Sequence, residues 1–275
     1  MSSFQILCVT MFQKDFSKLE QMNVHSDIIF ANQCEENADE TLKFGHHTAR
    51  MISTNTRGVG INRNFTLQYA DADICLLADD DIVYSDDVEQ KVVREFELHP
   101  DADLIFFHLN SSDASRSVKK PEKTVRLSGW SRLPWGGAHV AFRLKSVRKA
   151  NVWFTTLFGG GCMFPSGEDS IWLLEARKKG LVFYASKETI GDVDMSNSSW
   201  YTGADELYYY GKGAMYECIK KKPMLLWELY FALRTRKKTA LSIRNQIAWM
   251  EKGREGFRNM QSYKEYIGEQ EDDKQ

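Results

Sequence analysis

Short apolar runs recur through the first half of this chain with helical patterns between several of them, an order that commits it to βαβ units around a mostly parallel sheet. The runs span residues 4–10, 27–32, the briefer 50–53, and 74–78, and further strands are predicted over 104–109, 138–144 and 181–185. Asp86 and Glu89 have the spacing of a capping box, and Val88, Val92 and Phe96 fall four apart before Pro100, which predicts a helix packed back on the sheet. A second helix is predicted over 170–179, with Lys178 and Lys179 in its last turn and Gly180 just beyond its end. From about residue 204 the periodicity is helical, broken by Pro223 and by a basic turn from Arg234 to Lys238. The expected division is an α/β domain over 1–205, a C-terminal helical extension over 206–268 and a polar, disordered tail over 269–275.

With 275 residues, 43% of them hydrophobic, the chain can bury a substantial core. A net charge of -2 gives no general attraction to nucleic acid. The charge is unevenly spread: residues 212–258 hold 12 Lys and Arg against four Glu, about +8, so the remainder carries about -10. Five cysteines, odd in number and without a CxxC pair, read as reduced core residues of a cytoplasmic protein. The N-terminus lacks the basic and apolar regions of a secretory signal, and no stretch approaches the roughly 20 apolar residues that span a bilayer. Any membrane contact is therefore expected to be peripheral, at the inner face of the cell membrane. The six histidines form no spaced metal motif.

The run over 74–78 ends abruptly in Asp79-Asp80-Asp81. Three carboxylates beside an apolar strand repel one another unless a cation or hydrogen-bond donors hold them ionised. In extended backbone, residues i and i+2 project to one side, so Asp79 and Asp81 can converge while Asp80 points away. Two carboxylates on one side suit Mg²⁺ or Mn²⁺, which fill their remaining positions with water and substrate phosphate oxygens. The alternative is an acidic turn that only caps the following helix. The C-terminal end of a buried strand, where open α/β sheets place their ligands, favours the metal and a diphosphate substrate. A second acidic pair, Glu168-Asp169, follows Gly159-Gly160-Gly161 and Ser166-Gly167 at a helix start, where backbone N–H groups favour a carboxylate.

Residues 58–84, GVGINRNFTLQYADADICLLADDDIVY, resemble the core of the family 2 glycosyltransferases of the GT-A fold, in which a Gly-x-x-x-x-Arg-Asn helix start precedes a strand and an Asp-x-Asp motif. Residues 158–184, FGGGCMFPSGEDSIWLLEARKKGLVFY, resemble that family's glycine-rich acceptor segment and Glu-Asp motif, notably in its bacterial polysaccharide branch. The resemblance covers roughly residues 4–205. It implies a Rossmann-like nucleotide-diphospho-sugar fold and an inverting, metal-dependent transfer of a sugar from a UDP-linked donor to a glycan or lipid-linked acceptor. By the same likeness Asp81 is the metal ligand, which the strand geometry pairs with Asp79; Asp79 also contacts the ribose or donor sugar, Asp80 borders the donor, and Arg63 faces the nucleotide. Thr10, Met11, Asn32 and Gln33 would border the nucleobase pocket. Many relatives carry an Asp at the end of the second strand to read uracil; Asn32, Gln33 and Glu35 stand here instead, which leaves the base open. Asp169 matches the base that takes the acceptor's proton, and Glu168 would orient it or bind an acceptor hydroxyl. No QxxRW motif of processive synthases is present, so single-sugar transfer is expected.

Trp130, Trp135, Trp153 and Phe158 flank the expected acceptor region and offer faces on which a sugar can stack, although most of them are expected in the core. Asp192, Asp194 and Ser198 through Tyr201 resemble the family's segment that closes over the donor. Lys220, Lys221, Lys222, Arg234, Arg236, Lys237 and Lys238 flank the aromatic-rich apolar stretch from Leu225 to Leu233, a pattern that fits either a membrane-interface helix or a helical hairpin packed on the catalytic domain. Two other functions stay open on sequence: a nucleotidyltransferase, which would release pyrophosphate, and a non-catalytic nucleotide-sugar-binding scaffold subunit.

Overall fold

The computed structural model describes residues 2–111, 120–128, 133, 138–193, 204–220 and 222–272. The chain divides into two compact units, one drawn from residues 1–57, 61–154 and 172–198, the other from 58–60, 155–171 and 199–275.

The first unit carries the sheet. Its strands are β1 (Phe4–Met11), β2 (Asp27–Gln33), β3 (Ala38–Phe44), β4 (His47–Thr54), β5 (Ile74–Asp79), β6 (Ile82–Tyr84), β7 (Leu104–Ser111), β8 (Val125–Leu127), β9 (Val140–Arg143) and β10 (Phe183–Val193). They pair in the order β3-β4-β2-β1-β5-β9-β7-β10-β6, with β8 beside β10. The block β4-β2-β1-β5 is parallel, as its apolar runs predict, because strands buried on both faces read as continuous hydrophobic stretches. β7 and β10 are also parallel, whereas β3, β6, β8 and β9 add antiparallel pairs, so the sheet as a whole is mixed. β3, β6 and β8 escape the sequence pattern. The first of these, ADETLKF, lies at one end of the order and is exposed or half-buried throughout, the charged character that protects a sheet edge from further pairing.

Alternate residues of the central strands feed two cores. Ile6, Cys8, Ile28, Phe30, Leu76 and Ala78 pack with Val88, Val92 and Phe96; a short helix, α1 (Lys18–Gln21), follows β1. On the other face Leu7, Ile29, Cys75 and Leu77 pack with Leu67 of α2 (Val59–Tyr69). Val88, Val92 and Phe96 belong to α3 (Val88–Leu98), and Val147 of α4 (Leu144–Ala150) and Trp172 and Leu173 of α5 (Glu168–Lys178) complete the second core. Each fully buried Leu, Ile or Phe stabilises the fold by about 1.5–3 kcal/mol. The expected capping box at α3 does not form: Asp86 Oδ1 accepts instead from Asn23 Nδ2 at 2.8 Å, and Asp87 at the N-cap pairs with Lys91 at 2.8 Å. At the end of α5 the glycine signal holds. Gly180 has φ +85° and its N–H donates to Arg177 O at 3.0 Å, which stops the helix in a left-handed cap.

In the second unit the helical periodicity resolves into α6 (Glu206–Cys218), α7 (Met224–Thr235), α8 (Ile243–Asn259) and α9 (Tyr263–Asp272). Asp205 caps α6 by accepting from Tyr208 N at 2.9 Å, and Ser242 caps α8 by accepting from Asn245 N at 3.2 Å. α7 is fastened to α8 by an ion pair: Arg254 Nε lies 2.9 Å from Oε1 of the fully buried Glu228, without the alignment of a hydrogen bond. Burial raises the Glu228 pKa above its ordinary 4.5, against the opposing pull of Arg254. A carboxyl with a raised folded pKa contributes stability that is complete below about 4.5 and is lost as pH rises through the folded value. Arg254→Met should therefore cost about 2 kcal/mol at neutral pH, since it leaves a buried carboxylate uncompensated, and the loss should shrink towards pH 5. Urea unfolding at the two pH values checks this; a loss that does not vary with pH, or that Glu228→Gln fails to relieve, counts against the pairing.

Candidate active site

Three neighbouring parallel strands, β2, β1 and β5, bring the first group of candidate residues together in the first unit. Thr10 lies opposite Asn32, Met11 opposite Gln33, and Val9 opposite Asp79, so all stand at the same, C-terminal edge of the sheet. Asn32 is fully buried and its amide is engaged within the protein: Oδ1 accepts from Gln13 N at 3.0 Å, and Nδ2 donates to Gln13 O at 2.9 Å and Ser53 Oγ at 3.0 Å. It locks the turn after β1 to β2 and β4. Gln33 is buried, whereas Met11 is half exposed. Beyond it Phe12 is 58% exposed at φ +55°, a left-handed conformation uncommon for a bulky residue, and the Arg57 guanidinium lies 5.5 Å from its ring centroid. Arg57 also pairs with Glu35 at 2.5 Å and donates to Cys34 O at 2.9 Å.

Asp79 ends β5, and Asp80 and Asp81 make the turn into β6. The three carboxyls have different surroundings. Arg63, buried in α2 and 5.3 Å from the Phe154 ring centroid, donates to Asp79 Oδ1 at 3.2 Å; it does not turn to Asp71 or Asp73 as a surface arginine would. Asp80 accepts from the Thr10 hydroxyl, and Lys18 Nζ lies 3.9 Å from its carboxylate while donating to its backbone carbonyl at 3.0 Å. No cation stands within salt-bridge distance of Asp81 among the described residues. Desolvation first, then repulsion from Asp79, pushes the Asp81 carboxyl up to about 6. Asp79 repels it more than Asp80 does, although Asp80 and Asp81 lie in a turn, so the side-to-side alternation of an extended strand does not run through them. Asp81, whose carboxyl is raised, and Asp79, whose charge acts on it, are oxygen donors of the kind a hard divalent cation takes beside substrate and water oxygens; no group of three ligating side chains is found among the described residues.

Sequence reasoning passed over two residues here. Asn62, buried in α2, donates to Ala31 O at 3.0 Å and Thr10 O at 3.4 Å and so ties the ends of β1 and β2 together. It directly precedes Arg63 in the Gly-x-x-x-x-Arg-Asn start, which was the available signal. Lys18 had none, because only the fold carries it to Asp80.

The second acidic pair belongs to the second unit at its first helical turn of α5. Glu168 is buried and its Oε2 accepts from Gly167 N at 3.2 Å, while Asp169 is half-buried. Gly159 adopts φ +107°, and a Cβ there would meet Val59 at 2.4 Å and Glu168 Oε2 at 2.8 Å. The bare backbone at Gly159 is thus required by its own neighbours, and it is what admits the Glu168 carboxylate. Phe158 is wholly buried and stacks on Phe164 at 4.9 Å, so it is core and offers no face to a sugar. Trp153 is 42% exposed with its indole N–H bonded to Asn151 Oδ1 at 2.8 Å. Asp192 is held by Asn110 Nδ2 at 2.8 Å. Trp130, Trp135, Asp194 and residues 198–201 lie outside the described residues.

No curated protein sequence matches the chain. Among solved structures, residues 1–349 of S. aureus TarS in complex with UDP-GlcNAc align at a TM-score of 0.57 and 12% identity, covering 95% of this chain and 93% of that one. The same TarS fragment in complex with UDP aligns at 0.55 and 12%, over 95% and 93%. At such identity the likeness speaks to the fold, and the α/β architecture with its mixed sheet is that of the GT-A enzymes. The family model for glycosyl transferase family 2 matches residues 21–164, more than half of the chain and a span that holds Arg63 and the whole acidic triplet. The chain therefore belongs to glycosyl transferase family 2 and is a glycosyltransferase.

Proposed function

We propose that the enzyme moves a single sugar, with inversion, from a UDP-linked donor to a carbohydrate acceptor of surface-polysaccharide type. The observation that carries this reading is the convergence of Thr10, Asn32, Gln33 and Asp79 on the C-terminal ends of three neighbouring parallel strands, with Arg63 on Asp79. The UDP and UDP-GlcNAc held by TarS, a protein of similar fold, support a uridine donor.

In this reading Asp81, seconded by Asp79, would hold Mn²⁺ or Mg²⁺. A divalent cation bound there supplies positive charge against the negative charge that builds on the departing nucleoside diphosphate. Arg63 fixes the Asp79 carboxylate, and Asn62 and Asn32 fix the strand ends that border the nucleoside. The Asp169 carboxylate accepts the proton of the acceptor hydroxyl as its oxygen bonds to the anomeric carbon, while the bond from that carbon to the diphosphate oxygen breaks. Glu168, buried beside Gly159, holds the helix start that presents Asp169.

A thermal-shift series with UDP, UDP-GlcNAc, UDP-glucose and UDP-galactose, each with and without Mn²⁺, tests the donor site. At about a hundred times its Kd a donor adds roughly 2.7 kcal/mol, several degrees in Tm for a chain of this size. The shift should require Mn²⁺ and should largely vanish in Asp81→Asn. Absence of any shift with all four ligands and metal would remove the donor assignment, and release of pyrophosphate in place of UDP would remove sugar transfer.

A further inference from the structure

We infer that α7 is a membrane-docking helix, which lays its outer face into the interface of a bilayer that carries anionic lipid. The helix is amphipathic in an unusual sense: both faces are apolar. Met224, Phe231 and Ala232 pack inward with Glu228 and Thr235, while Leu225, Leu226, Leu229, Tyr230 and Leu233 stand 59, 63, 39, 53 and 44% exposed. At 3.6 residues per turn those five outward side chains fall within roughly 140° of arc, a single continuous stripe. Five large apolar groups on one outer stripe of a twelve-residue helix make a patch of the kind that marks an interaction surface.

Charge decides which surface. Exposed cations stand at both ends of the stripe, Lys220 and Lys222 before it and Arg234, Arg236, Lys237 and Lys238 after it. Between residues 219 and 238 the chain has one acid, Glu228, and that one is buried against Arg254 on the inner face. The outer face therefore offers apolar side chains framed by positive charge and no carboxylate, the complement of an acyl boundary below a layer of anionic headgroups. Tyr230 and Trp227, whose rings meet edge-on at 6.0 Å, are amphipathic side chains suited to headgroup depth. A second copy of the same helix would bring six like charges against six, which disfavours self-association through this face. No helix among the described residues is long and apolar enough to cross a membrane, so the contact would lie in the interface plane.

Co-sedimentation of the full chain with vesicles of phosphatidylcholine alone, and of phosphatidylcholine with about 30% phosphatidylglycerol, tests this directly. Binding to the anionic vesicles should be at least about tenfold tighter, and should weaken with added salt. Leu226→Glu with Tyr230→Glu should abolish it, and Arg236→Glu with Lys237→Glu should erase the preference for anionic lipid, each with parental helical circular dichroism. Failure of the parent chain to bind either vesicle would overturn the inference, as would binding that the Leu226/Tyr230 double variant retains. So would a soluble dimer that this double variant dissociates, since the face would then belong to a second copy.

Discussion

Asp169→Asn is expected to lower the turnover of sugar transfer about a thousandfold or more while leaving the fold and the donor's thermal shift intact. A positioned general base contributes roughly 10²- to 10⁴-fold, and the amide that replaces it matches the carboxylate in size but accepts no proton. The half-buried position of Asp169 fits the role better than that of Glu168, whose carboxylate is enclosed beside Gly159 and bonded to Gly167 N. Glu168→Gln should accordingly act through positioning, with a smaller loss of turnover and a partial rescue absent from Glu168→Ala. UDP release measured with saturating acceptor, beside donor binding in the same preparation, separates the two roles. Turnover of Asp169→Asn within tenfold of the parent would exclude it as the base and would leave the donor assignment standing.

What was legible in the sequence follows from which segments are buried on both faces. β1, β2 and β5 read as apolar runs because neither side of the central sheet meets water there, β4 gives only a brief run because half of it is partly exposed, and the abrupt change from Ala78 to Asp79 marks the strand end by the same logic. β3 could not be read so, because its exposed, charged side chains leave no apolar period to detect. Local signals fared unevenly. Gly180 stops α5 because a left-handed residue is needed there, whereas the capping box at Asp86 yields to a tertiary partner, Asn23, that lies far away in sequence. The acidic triplet was legible as a group, but its internal division was not: Arg63 on Asp79, and Thr10 and Lys18 on Asp80, are set by the fold. Likewise the glycines before Glu168 were visible as a cluster, yet the reason for Gly159, the space taken by Val59 and Glu168, exists only in three dimensions.

The same reasoning about absent side chains gives a large stability effect from a single methyl group. A Cβ on Gly213 of α6 would lie 1.9 Å from Met250 O, and one on Gly253 of α8 would lie 1.9 Å from Tyr210 O and 2.7 Å from its carbonyl carbon. Each glycine thus faces the other helix's backbone, where no rotamer change can make room. In an open helix, Gly→Ala stabilises by up to about 1 kcal/mol because alanine loses less conformational entropy. At Gly253 the sign should reverse: separating two packed helices by more than an ångström strips contacts along the whole interface, and a cost of about 3 kcal/mol or more is expected. Gly268 in α9 supplies the control, since nothing lies within 4 Å of a Cβ built there. Gly268→Ala should be neutral or slightly stabilising in the same urea titration that shows Gly253→Ala strongly destabilised. Equal midpoints for the two variants would mean that α6 and α8 do not approach as closely as their glycines allow, and the packing described for the second unit would have to be redrawn.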